Sequence, residues 1–170
     1  ALSPYPRDSF FLYLCRLLHN AELGSPAQMR LHGIETRSCE TGSAGDVTER
    51  EDVVIATKTL PADDWRQAFR FGQTLAALTS LRLADHVVAW LRFVSGDLES
   101  WLLELLDGME TAASHTALGR MHDALEAHVS EIRRGGALRQ EISGLPTLPH
   151  ESLLSIGLQS PDEFLEALPS

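Results

Sequence analysis

"LPADDWRQAFRFGQTLAALTSL", residues 60–81, is where the chain changes its hydrophobic period. Pro61 suits the first position of a helix, and Asp63 and Asp64 follow in the first turn, where the positive end of the helix dipole favours carboxylates. Trp65, Ala68, Phe69, Gly72, Leu75, Ala76 and Thr79 then recur at steps of three and four, which is one apolar helical face. Gly72 within that face costs ~1 kcal/mol against alanine, so the spacing predicts a close approach by a neighbouring helix.

Downstream the same period continues. Helices are expected at 82–94, at 98–109 and at 114–134, the last ended by Gly135-Gly136. The stripes are Val87, Val88, Trp90, Leu91 and Val94 at 82–94, Leu98, Trp101, Leu102, Leu105 and Leu106 at 98–109, and Leu118, Met121, Leu125, Val129 and Ile132 at 114–134. The tail over 137–159 is less regular. "SPDEFLEAL" at 160–168 reads as a compact helix start, with Ser160 as cap, Pro161 next and Glu163 three residues after the cap.

Upstream the pattern is strand-like. "FFLYLCRLL" at 10–18 suits a buried strand, with a buried helical turn as the competing reading, and "VVIATKT" at 53–59 has a β-branched front. Between them, Asn20 to Pro26 carries turn chemistry, and Pro26 opens a short helix through Gln28 and Leu31 that Gly33 stops. "SCETGSAGDVTERED" at 38–52 is polar and rich in Gly and Ser, and reads as a surface loop. The expected fold is mostly α: a helical bundle-like C-terminal region preceded by a short two-strand α/β segment. The expected division is a strand–loop–strand segment at 1–60 and a helical domain at 61–170.

The 170 residues are 44% hydrophobic, enough for a core that needs no disulfide or metal. Cys15 and Cys39 are the two cysteines, too few for a disulfide framework or a four-ligand zinc site, and a reduced, cytoplasmic protein is expected. No pattern of a secretion signal or membrane span is present, although a leader removed before Ala1 or a longer parent chain stays open. The formal charge of −10 is uneven: residues 1–96 hold 11 acids and 10 bases, and residues 97–170 hold 13 acids and 4 bases. The second half would repel a phosphate backbone, so nucleic acid is not an expected partner.

The residue sets that would carry chemistry are sparse. His115, His122 and His128 lie in one expected helix, and Glu126 stands four residues after His122. Only that last pair has chelating spacing, and without an HExxH the histidines read as structural or solvated. No GxSxG, GxGxxG or phosphate-loop sequence occurs. Asp97, Glu99, Glu104, Asp107 and Glu110 read as the wet face of an amphipathic helix, and Trp65, Trp90 and Trp101 as core. One stretch stands apart. "LLHNAELGSPAQMRLHGIETR" gathers Asn20, Arg30, His32 and Arg37 around a turn at a strand's end, where α/β folds bind ligands. Asn20, Arg30 and His32 are the candidate substrate-binding residues; no catalytic or metal-ligating residue is assigned.

Those same residues resemble the C-terminal region of cobalamin-dependent radical S-adenosylmethionine enzymes. The matching stretches are "LLHNAELGSPAQMRLHGIETR" at 17–37, "DVVIATKTLPADDWRQAFRFGQTLAAL" at 52–78 and "VVAWLRFVSGDLESWLLELLDG" at 87–108. The family's Asn-Ala-Pro turn reads Asn20-Ala21-Glu22 here, and His32 stands just before Gly33. No CxxxCxxC is present to hold a four-iron cluster. The resemblance implies that the [4Fe-4S] cluster, S-adenosylmethionine and cobalamin belong to upstream cobalamin-binding and radical domains. This chain would then help to shape the site for a small-molecule or peptide substrate, with methyl transfer to an unactivated centre as the reaction. The second reading is a non-catalytic, acidic helical protein-interaction domain.

Overall fold

The computed structural model describes residues 14–18, 20–44, 47–79, 97–142 and 145–169, with isolated positions between 80 and 96. The expected helix at 82–94, with Trp90, lies largely outside the described residues, as do residues 10–13 of the first expected strand.

Among the described residues the protein is mostly helical. The elements run β1 (Arg16–Leu17), a 3₁₀ turn (Glu22–Gly24), α1 (Pro26–His32), β2 (Glu35–Ala44), β3 (Val47–Ala56) and α2 (Ala62–Thr79). After these come α3 (Leu98–Thr111), α4 (Ala117–Arg134), β4 (Gln140–Ile142), β5 (Leu145–Thr147), α5 (Pro149–Gln159) and α6 (Pro161–Glu166). β1, β3 and β2 form an antiparallel sheet in that order, and β4 pairs with β5.

The chain forms two compact units, each drawn from separate stretches of sequence. One comprises Tyr13–Phe69 with Glu126–Leu148; the other comprises Ala1–Leu12, Arg70–Leu125 and Pro149–Ser170. The reason for the first grouping is polar. The end of α4 leaves carbonyls without helical donors, and the sheet supplies them. Arg37 Nε donates to Arg133 O at 3.1 Å, Cys39 Sγ donates to Ile132 O at 3.5 Å, and Arg50 donates to Gly135 O at 2.6 Å. Beyond the helix, Glu40 N–H reaches Gly136 O at 3.0 Å and Leu138 N–H reaches Glu40 O at 2.8 Å.

The stretch at 38–52, expected as a loop, is instead the body of the β2–β3 hairpin, with Cys39 opposite Glu51 and Glu40 opposite Arg50. Two residues, Gly45-Asp46, separate the strands in sequence, a hairpin cue that the polar composition obscured. Most of this arm is exposed, and Cys39 is its buried residue. Its order therefore comes from ladder hydrogen bonds and from Arg50, which reaches Glu40 at 2.9 Å, Ser38 Oγ at 3.3 Å and Ser38 O at 2.5 Å. β3 carries the core beyond the arm: Val53, Val54, Ile55 and Ala56 are all buried. Consecutive buried residues mean that both faces of this central strand are covered.

In the helical unit, Trp101, Leu102, Leu105 and Met109 of α3 are buried, as are Leu118, Met121 and Leu125 of α4. The expected α4 stripe is thus core, as are Trp101, Leu102 and Leu105 of the α3 stripe, while Leu98 and Leu106 are half-buried. The irregular tail resolves into the β4–β5 hairpin and α5, which Pro149 opens. At α6 the expected reciprocal cap is redirected. Ser160 makes no side-chain cap and accepts from Arg120 at 2.9 Å, while Glu163 accepts from Ala117 N–H at 2.9 Å. Both side chains tie α6 to the start of α4 instead of closing their own helix.

Candidate functional site

The segment from Leu18 to Gly33 folds as a chain of local caps. Leu18 O accepts from Ala21 N–H, Ala21 O from Gly24 N–H, and Glu22 O from Ser25 N–H, each at 3.0 Å. Ser25 then caps α1, its Oγ accepting from Gln28 N–H at 3.4 Å, and Pro26 takes the first helical position. Gly33 closes the helix in the left-handed region at φ 58°. Pro26 and Gly33 bound the helix as the sequence suggested, and Ser25, read there only as a turn residue, is its cap.

Underneath, Leu17, Ile34 and Val54 form a small buried cluster against which Met29 packs. Met29 therefore marks the inner side of α1. Asn20, Arg30 and His32 are exposed. Arg30 and His32 share the last turn but stand two positions apart, ~200° around the axis, so they do not converge on one group from the same face. Around them Leu18 (64% exposed), Leu23 (43%) and Leu31 (58%) also face outward. Arg37, the fourth polar residue of the motif, does not join this surface. Its guanidinium is spent on Arg133 O and, at 2.8 Å, on Thr36 O.

A second polar set lies in the helical unit, and sequence spacing did not single it out. Arg70 is 5% exposed; it donates to Glu110 Oε2 at 3.0 Å and to His122 Nδ1 at 3.3 Å. A guanidinium can only donate, so Nδ1 of His122 accepts and the ring proton sits on Nε2. One turn along α2, Gln73 Oε1 meets His150 Nδ1 at 2.9 Å. Glu126, in the sheet unit, accepts Arg66 Nε at 3.0 and 3.1 Å. His122 and Glu126, four residues apart, are thus engaged by different arginines and do not form a chelating pair.

The remaining candidates serve structure. Asp97 caps α3, accepting from Glu99 N–H, Ser100 N–H and Ser100 Oγ. The Ser100 side chain first, then the backbone donors, hold its carboxyl below the ordinary aspartate range. Burial pushes the Cys39 thiol up against the pull of Arg50, which suits an inert core cysteine and not a nucleophile. Among the described residues no three His, Cys, Asp or Glu side chains are placed to hold a metal ion, and no helix is long and apolar enough to cross a membrane. Glu104, Asp107 and Glu110 line a groove of about 550 Å³ together with Leu105, Leu118, Ala167 and Pro169.

His150 carries a pH prediction. Burial, opposed by Glu151, depresses its pKa from 6.5 in the folded chain. As pH falls below that value the unfolded chain takes up the proton first, so stability falls through the window down to the depressed value and is level on either side. His150→Gln should remove that part of the slope. Melting temperatures of both proteins from about pH 8 to pH 5 test this, and superimposable profiles would refute it.

No family model matches the chain, and no curated protein matches it in sequence.

Proposed function

We propose that this chain is the C-terminal, substrate-shaping region of a cobalamin-dependent radical S-adenosylmethionine enzyme that methylates an unactivated centre of a small molecule or peptide. The observation that carries the reading is the outer surface of residues 18–32. Leu18, Leu23 and Leu31 are exposed there beside the polar Asn20, Arg30 and His32. Exposed apolar side chains mixed with a few polar groups suit a ligand cavity or a domain seam.

The donor set does not fit the cofactors. A four-iron cluster needs several thiolates, whereas this chain offers Cys15, which is exposed, and Cys39, which is buried and bonded to Ile132 O. The cluster, the adenosylmethionine and the corrin are therefore assigned to upstream domains, and this chain contributes shape and polar contacts. On this reading the strand–loop–strand segment at 1–60 would be the end of a barrel or sheet built upstream; within this chain β1 is the edge of the antiparallel sheet it forms with β3 and β2.

The full reading frame tests the proposal. A CxxxCxxC segment in frame before Ala1, with iron and corrinoid in the native protein, is the expected result. A start codon adjoining Ala1, or native protein free of both, would overturn it. β1 is only two residues long and lies at the sheet edge. Among the described residues the outer side of β1 has no strand partner, and such an edge invites pairing between chains. Residues 1–170 expressed alone should therefore dimerise or aggregate, and a clean monomer by light scattering at high concentration counts against the proposal.

The acidic groove along α3 favours the second reading, a non-catalytic helical interaction domain. That reading predicts an autonomous monomer with no iron-carrying portion attached.

A further inference from the structure

α1 is seven residues long and buries none of them. A helix so short does not hold itself, and Met29 alone packs against the core. Its last four carbonyls need donors from elsewhere. Gly33 N–H reaches Arg30 O at 3.3 Å and Ile34 N–H reaches Met29 O at 2.9 Å. The other two carbonyls are met by one residue beyond β3. Lys58 N–H donates to His32 O at 2.9 Å, and Lys58 Nζ donates to Leu31 O at 2.5 Å.

Lys58 is the only lysine in the chain. Its ammonium sits where the helix dipole is negative, and a charged donor makes the stronger hydrogen bond. Gly33 is its seat. A Cβ there would stand 2.8 Å from Lys58 Cγ, so the aliphatic stem lies across the glycine while the head group ends on Leu31 O.

We infer that Lys58 is the positioning residue of the candidate substrate segment: it fixes the last turn of α1, and with it Arg30 and His32, against the β3–α2 connection. The inference takes from the proposed function only that this turn faces substrate; the clamp itself is a property of residues 29–34 and 58.

Amide hydrogen exchange, followed by mass spectrometry on the full chain, tests it with Lys58→Met and Lys58→Arg. Peptides covering 29–34 should exchange about tenfold faster with methionine, the loss of one charged hydrogen bond. Arginine should return them to within about threefold, because it keeps the charge and the donors. Peptides from α3 and α4 should not change. Unaltered exchange at 29–34 in Lys58→Met would overturn the inference. So would arginine behaving like methionine, or an equal loss of protection across α3 and α4. In the complete enzyme, Lys58→Met should raise KM with kcat little changed. Faster exchange with an unchanged KM would sink the substrate reading of α1 and leave the clamp standing, so the two failures are distinguishable.

Discussion

Gly119→Ala should destabilise the protein by about 3 kcal/mol or more, although alanine is the better helix former by ~1 kcal/mol. Gly119 lies in the first turn of α4, where propensity alone predicts a gain. The loop before the helix reverses that sign. Thr116 caps the helix, its Oγ accepting from Gly119 N–H at 3.2 Å and donating to Ala113 O at 2.8 Å, while Thr116 N–H donates to the same oxygen at 2.9 Å. These bonds draw Ala113 O over the glycine. A Cβ at 119 would overlap that oxygen, lie 2.5 Å from its carbonyl carbon and stand 2.9 Å from Ser114 Cα. The obstructing atoms are backbone, so no rotamer change relieves them; the helix start must move. Gly108→Ala on α3 is the control. Its Cβ would meet only Leu118 Cδ1, at an ordinary 3.8 Å, and it should stabilise by up to ~1 kcal/mol. Urea midpoints of the two variants should therefore move in opposite directions. A Gly119→Ala protein as stable as the parent would mean that residues 113–116 do not fold across α4.

The contrast between these glycines describes what the sequence made legible. The bounds of α1 were readable because the two signals that set them, Pro26 and the left-handed Gly33, are local; Lys58, which meets its last carbonyls, lies beyond β3. Much of the apolar stripes of α3 and α4 was readable because burial follows the 3.6-residue period, whereas in α2 burial also takes in Arg70, Gln73, Thr74, Ala77 and Leu78, off the expected face. β2 and the first half of β3 were not. Their side chains are polar, and they are held by Arg50, whose partners include Gly135 O, 85 residues away. Ser160 and Glu163 were readable as cap residues, but their acceptors serve Arg120 and Ala117, which no local pattern announces.

The candidate site divides in the same way. The polar turn with Asn20, Arg30 and His32 could be picked out because it interrupts apolar sequence. Arg37, in the same motif, turned out to cap the end of α4, 96 residues on. Lys58 and Arg70 escaped notice for the converse reason. Each looks like a solvated cation in sequence, and each finds its partner only through the fold, at Leu31 O and at Glu110 with His122. One useful cue existed for Arg70. It recurs with Arg66, Gln73 and Thr74 at three- and four-residue steps within α2, and such a polar stripe must meet partners or water.

Trp65→Ala should cost about 3–5 kcal/mol, the other large effect expected of this chain. Trp65 is 7% exposed and stacks on Phe69 one turn along α2, with ring centroids 5.5 Å apart and planes 23° apart. Both residues lie in the sheet unit, whose core otherwise consists of medium-sized aliphatic side chains such as Val53, Ile55, Val129 and Ile132. Removing the indole would leave a cavity that those side chains, locked in strands and helices, fill only in part. It would also strip Phe69 of a stacking partner worth ~0.5–1.5 kcal/mol beyond area burial. Trp65→Phe keeps a ring at the site and should recover much of the loss. Denaturant titration of the parent and both variants measures this. A loss below ~1 kcal/mol for Trp65→Ala is what a surface side chain gives, and it would place the indole outside the core, free to line the substrate wall that α1 is proposed to form.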